Sequence, residues 1–271
     1  MPGNHFTKIS FYIVAHADDW QLFMCPNVYN DLMASESKVV LIITTAGDAG
    51  MDQKYWTARE EGSKSSLKFC LNAFADFSTL EDSKEFNGHL IRYYCAGNAI
   101  IYFLRLPDGN LDGSGFESYH FQSLSKLKTE KINSITSIDR STTYHGWTDL
   151  SATLEAILHE ESKGIVEKCL NYINPDETID LNEHADHIAT GQAIQYMKSI
   201  AAIKQVLFEG YSVSNKKNNL QGTDLFWKVG MFAAYDKAVR DNSNYSTLQE
   251  GLIIYLKWCL SSASFIVIEP C

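Results

Sequence analysis

Ile9-Ser-Phe-Tyr-Ile-Val-Ala15 runs directly into His16-Ala-Asp-Asp19, and the junction of these two stretches decides the fold. The first is a short apolar run rich in β-formers with polar flanks, which reads as a buried strand. A second such run, Val39-Val-Leu-Ile-Ile-Thr44, ends in the glycine-containing loop Thr45-Ala-Gly-Asp-Ala-Gly50. Between the two runs a helix is expected through Leu22, Phe23, Val28 and Leu32, with Pro26 in its first turns or breaking it. Residues from about Tyr55 to Asn72 read as another helix. Strand, helix, strand, helix with near-continuous apolar strands predicts an α/β fold, a mainly parallel sheet with helices on its faces.

The middle of the chain keeps a different rhythm. Ile91–Ala96 and Ala99–Leu106 flank Gly97-Asn98 and read as a hairpin, the second strand leading into Leu106-Pro-Asp-Gly109. Residues 113–147 show weak periodicity and many Ser, Thr and Lys, which suits an irregular insertion or substrate-side lobe within a single domain spanning 1–271. Leu150–Tyr172 reads as a helix and Thr178–Leu181 as a short strand before His184-Ala-Asp-His187. A helix to about Ile203, a strand at Gln205–Tyr211, helices at Phe226–Val239 and Leu248–Cys259, and an apolar tail at Ser264–Ile268 complete the pattern.

Composition narrows the function classes. The chain has 271 residues with 45% hydrophobic and 21% charged, ordinary for a globular protein. Its net charge of −10 repels phosphate backbones and argues against a nucleic-acid partner. No charged segment followed by an apolar run opens the sequence, and no apolar stretch is long enough to span a bilayer, so neither a signal peptide nor a membrane span is expected. Six scattered cysteines without a CxxC suit reduced thiols and a cytoplasmic location, with Cys271 as a terminal thiol.

Chemistry concentrates in two clusters that each follow an apolar strand, where parallel sheets place their ligands. One supplies His16, Asp18 and Asp19; the other supplies His184, Asp186 and His187. Imidazoles with a carboxylate are a donor set for catalytic zinc, and an adjacent carboxylate off the metal can take a proton from water. Paired aspartates also suit a helix N-cap, and HxxH a polar helix start, so the residues by themselves leave the metal reading and the structural one open. Tyr144-His145-Gly146-Trp147 reads as a structured loop, and Trp56 and Trp227 as core or interface residues.

The clusters resemble the two signatures, AHPDDE and HPDH, of the PIG-L/LmbE-like de-N-acetylases. Thr44–Gly50 is similar to that family's second-strand loop, Leu106–Gly109 to its LPDG element, and Arg59-Glu60-Glu61 to the helix start between them. These matches occur in order over about residues 9–200. The resemblance implies a Rossmann-like fold and a metal-dependent amide hydrolase that removes acetyl from an N-acetylglucosaminyl-type substrate. It implies His16, Asp19 and His187 as ligands of one zinc ion, Asp18 as general base, and His184 as a stabiliser of the oxyanion or a proton donor to the leaving amine. Asp186 would tune a neighbouring histidine, Arg59 and Asp108 would hold sugar hydroxyls, and Asp48 would border the site.

The sequence departs from the signatures at three places. Ala17 and Ala185 replace prolines, and Trp20 replaces the glutamate after the paired aspartates, as an apolar wall, a sugar-stacking face or a loss to the ligands' support. Two rival readings follow: an amidase acting on a related sugar conjugate, and a non-catalytic sugar- or metal-binding protein. Fe(II) shares the two-histidine, one-carboxylate donor set with zinc. The expected partner is a small N-acetylated sugar; homo-oligomer formation is left open.

Overall fold

The protein is described by a computed structural model covering residues 6–72, 76–178, 182–263 and 265–270. The chain begins β1 (Lys8–Val14), α1 (Asp19–Phe23), α2 (Asn27–Met33), β2 (Ser37–Thr45) and α3 (Gln53–Asn72). Three strands follow: β3 (Thr79–Phe86), β4 (His89–Ala96) and β5 (Ala99–Leu106). Residues 113–147 carry only short pieces, among them α4 (Leu124–Lys128), β6 (Ile135–Thr136) and β7 (Thr143–Tyr144). Next come α5 (Trp147–Glu161), β8 (Glu167–Ile173), α6 (Ala185–Gln195) and β9 (Lys204–Phe208). The chain ends with α7 (Gly222–Ser243), α8 (Thr247–Leu260) and β10 (Phe265–Ile268).

Eight of the strands form one sheet in the order β10-β9-β8-β1-β2-β5-β4-β3. The pairs from β9 to β5 are parallel, while β10, β4 and β3 join antiparallel at the edges. This is the mixed, mostly parallel α/β arrangement of a Rossmann-like fold. β1 is apolar on successive residues because both of its faces are covered. Tyr12 and Val14 pack into one core with Leu41, Leu67, Met231 and Tyr235, on the side of α3 and α7. Phe11 and Ile13 pack into a second core with Val40, Leu154, Ile157 and Ala193, on the side of α5 and α6.

Several expectations need correction. The segment Leu150–Tyr172 is not one helix: α5 stops at Glu161 and residues from Glu167 form β8, parallel to β1. The short apolar run there fits either period, and pairing with β1 settles it as strand. The helix expected to reach Ile203 ends at Gln195, and a 3-10 turn occupies Ile200–Ala202. The break expected as one outcome at Pro26 is found, dividing the helical stretch between the first two strands into α1 and α2. The short strand expected at Thr178–Leu181 lies largely outside the described residues, as does Cys271. β3 escaped notice because its sequence, TLEDSKEF, is polar and mostly exposed, as suits an edge strand. The cysteines among the described residues are free thiols, and no helix among them is long and apolar enough to cross a membrane.

Candidate metal centre and cavity

The connection after β1 leads to β2 and β5 on one side, while β8 leads to β9 on the other. The strands β1 and β8 therefore flank a topological switch point, and the loops leaving their C-terminal ends part to leave a crevice. Residues 16–19 follow β1 into this crevice, and 183–187 enter it from the segment after β8. Residues some 170 positions apart in sequence meet there: His16 Nδ1 lies 3.1 Å from His187 Nε2.

Asp19 completes the group, its Oδ1 3.2 Å from His187 Nε2 and 3.7 Å from His16 Nδ1. All three side chains are buried. A tetrahedral ion with bonds of 2.0–2.1 Å needs donors about 3.3 Å apart, and the three separations bracket that value. Burial alone would depress both imidazoles, yet the surrounding carboxylates outweigh it. Asp19, Asp186 and Asp108 hold His16 well above its ordinary value, and Asp19 with Glu183 raises His187 to about 9. Burial would raise the Asp19 carboxyl, and His187 and His16 instead hold it well below the carboxylate range. The pocket thus demands positive charge, which a divalent cation among these donors satisfies. The residues fit a metal.

Each imidazole is also fixed from behind. His187 Nδ1 lies 2.6 Å from Glu183 Oε1, which places the proton on Nδ1 and the lone pair of Nε2 toward the shared point. Glu183 is itself held by the backbone N–H groups of His184 and Tyr211 at 3.0 and 2.8 Å. The sequence reading did not single out Glu183; its spacing of four residues before His187 on the approach to α6 was the available signal. On the other side, His16 Nε2 faces Asp186 Oδ2 at 3.5 Å. Asp186 accepts the Gly109 N–H at 2.8 Å, and a Cβ on Gly109 would stand 2.4 Å from Asp186 Oδ1, so only glycine permits this approach.

Asp18 lines the same site. Arg59, from α3, donates to its Oδ1 at 2.5 Å, to the Gly47 carbonyl at 2.6 Å and to the Tyr235 hydroxyl at 2.8 Å. Three of the five guanidinium N–H groups are therefore committed inside the protein, and the arginine primarily orients Asp18. The α3 helix that carries it is anchored to the sheet by Glu60, which takes Arg105 of β5 through both carboxylate oxygens at 2.7 Å.

His184 caps α6: its Nδ1 accepts the Asp186 N–H at 3.1 Å, leaving the ring proton on Nε2. Burial, His16 and His187 push its basicity down, so it stays neutral. Its Nε2 lies 3.8 Å from Asp108, whose carboxylate also accepts from the Asn110 and Ala49 backbones at 2.8 and 3.3 Å. Asp48 does not face the cavity. It accepts from the Asp108 and Gly50 N–H groups at 2.8 and 2.9 Å, pinning the loop after β2 to the segment after β5, and burial raises its carboxyl to about 6.

The site opens into a cavity of about 240 Å³ bordered by His16, Asp18, Asp19, Arg59, Asp108 and His184. Much of its remaining wall is apolar or aromatic, and part of that comes from regions that no motif marked: Phe116 of the irregular segment, and Tyr211, Tyr255 and Trp258 in the C-terminal quarter of the chain. Trp20 contributes neither wall nor stacking face. It is wholly buried in the core, its indole N–H donating to Ser63 at 2.8 Å. Tyr144 is likewise buried, stacked on His89.

The sequence profile of the PIG-L family, GlcNAc-PI de-N-acetylase, matches residues 11–198. No curated protein matches the chain. Among solved structures, the chain is similar to GalB, the 4-carboxy-2-hydroxymuconate hydratase of Pseudomonas putida KT2440. The identity is 10% and the TM-score 0.42, with 97% of each chain covered.

Proposed function

This chain belongs to the PIG-L family of GlcNAc-PI de-N-acetylases, and we propose that it is a zinc-dependent hydrolase that removes acetyl from an N-acetylglucosaminyl-type substrate. The observation that carries the reading is the approach of His16, Asp19 and His187 to a common point, with 3.1 Å between the two imidazole nitrogens and Glu183 behind His187. A divalent ion held there, zinc or Fe(II), would supply Lewis acidity toward the amide carbonyl and make a water acidic near neutral pH.

The chain's own residues divide the remaining work. Asp18 has one oxygen tied to Arg59, while its Oδ2 has no partner among the described residues and can take the proton of the attacking water. His184 presents Nε2–H toward the cavity, the geometry of a donor to the carbonyl oxygen as negative charge develops on it. As the C–N bond breaks, the proton held at Asp18 passes to the leaving amine, and the products are acetate and a free amino group. Asp108 and the uncommitted N–H groups of Arg59 border the space for sugar hydroxyls. Asp186 and Glu183 act through the histidines they orient.

Elemental analysis of the purified protein, paired with acetate release from N-acetylglucosamine conjugates, tests this reading. About one zinc per chain with acetate released is the expected result. Release of a larger acid in place of acetate would favour the related-amidase reading. Bound metal with no turnover on a broad panel of N-acyl sugars would make the protein a binding member of its family.

A further inference from the structure

Part of the cavity's aromatic wall, formed by Tyr211, Tyr255 and Trp258, lies beyond residue 198, where the family match ends. Within it, the Tyr255 ring is tightly seated. It stacks on Phe232 (centroids 5.2 Å apart, planes at 14°) and meets Trp258 edge-on at 5.0 Å. Its third support is Gly251, where the backbone of α8 leaves helical geometry (φ −139°, ψ 32°). A Cβ on Gly251 would stand 2.9 Å from two carbons of the Tyr255 ring. The helix is interrupted, and lacks a side chain, at the position that receives this ring.

The far end of the side chain is differently placed. Tyr255 lines the cavity beside Asp18 and Arg59, and its hydroxyl has no hydrogen-bond partner among the described residues. Burial, followed by the nearby Asp18 charge, raises its pKa well above that of an ordinary phenol, so it remains a donor. A rigidly held phenol with an unused donor and acceptor, facing a polar floor, is matched by a ligand bearing hydroxyl groups. We propose that Tyr255 is a substrate-binding residue that holds a ring hydroxyl of the sugar, and that the break in α8 at Gly251 sets its position. The proposal rests on the sugar-amide reading above and extends it to a part of the chain outside the family match.

Glucosamine carries the ring hydroxyls without the acyl group and reads the contact in the absence of turnover. Titrated into zinc-loaded protein, it should bind Tyr255→Phe about tenfold more weakly than the wild type. KM for N-acetylglucosamine hydrolysis should rise by a similar factor, with kcat within about twofold and zinc content unchanged. Gly251→Ala, which displaces the ring, should weaken glucosamine binding at least as much. A purely structural role for Tyr255 would leave binding and KM of the phenylalanine variant unchanged, because the ring and its packing remain. Wild-type affinity and KM in Tyr255→Phe therefore overturn the assignment while the hydrolase reading stands. A wild type that hydrolyses N-acyl amides without binding glucosamine overturns it also. A zinc-loaded wild type that does neither overturns both.

Discussion

Two of the places where this molecule buries ionisable groups respond in opposite ways. Lys228 of α7 is wholly buried; its ammonium donates to the Ser261 carbonyl at 2.5 Å and forms no salt bridge among the described residues. Burial pushes it down to about 8, with the Cys25 and Cys259 thiols too weak to restore it. In the cavity, His16 and His187 are also buried, yet the carboxylates of Asp19, Asp108, Asp186 and Glu183 drive them upward. Burial by itself moves a group toward neutrality; convergence of opposite donors makes a buried place hold charge. Of the two, the second arrangement is the one that suits a cation.

The comparison breaks first, and most heavily, at the histidines. His187→Ala or His16→Ala is expected to abolish zinc retention and lower turnover at least a thousandfold, read by elemental analysis and acetate release. Stoichiometric zinc in both variants would dissolve the contrast. Next, Asp18→Asn should keep the metal and lose about 10²–10⁴ in kcat, separating the residue that moves a proton from those that hold the ion.

Glu183→Gln probes the support behind His187. Metal affinity is expected to fall about 10- to 100-fold, measured by competition with a chelator, with the fold intact. Unchanged affinity would mean that the imidazole needs no help from behind.

Lys228→Met sharpens the other half of the comparison. The folded-state pKa of about 8 lies below the ordinary 10.5, so between these values the unfolded chain binds more protons and stability climbs with pH. The contribution is complete above 10.5 and is lost as pH falls through 8. Removing the ammonium should therefore stabilise the protein by on the order of 2 kcal/mol at pH 7 and flatten that rise. Denaturant unfolding at pH 7 and pH 10 checks it; equal slopes in both proteins would refute the view of Lys228 as a destabilised charge.

One part of the site legible in the sequence sits directly beside regular strands. β1 and β2 announced themselves because both their faces are covered, and His16, Asp18 and Asp19 follow β1 within a few residues. The run from Leu150 to Tyr172 was misread because a short apolar stretch fits helix and strand alike until a neighbouring strand pairs with it. Trp20 shows the same limit: nothing in its flanks distinguishes a residue on the cavity wall from one turned into the core.

The sequence by itself determined the donor types, their order along the chain and their attachment to a parallel α/β pattern, since hydrophobic period and local motif are properties of adjacent residues. Tertiary structure alone decided that His16 and His187 meet at 3.1 Å, that Arg59 serves Asp18, and that Tyr255 faces the cavity from α8. Those relations join segments far apart in sequence. They are set by the strand order of the sheet and the packing of α3, α7 and α8, which no local spacing encodes.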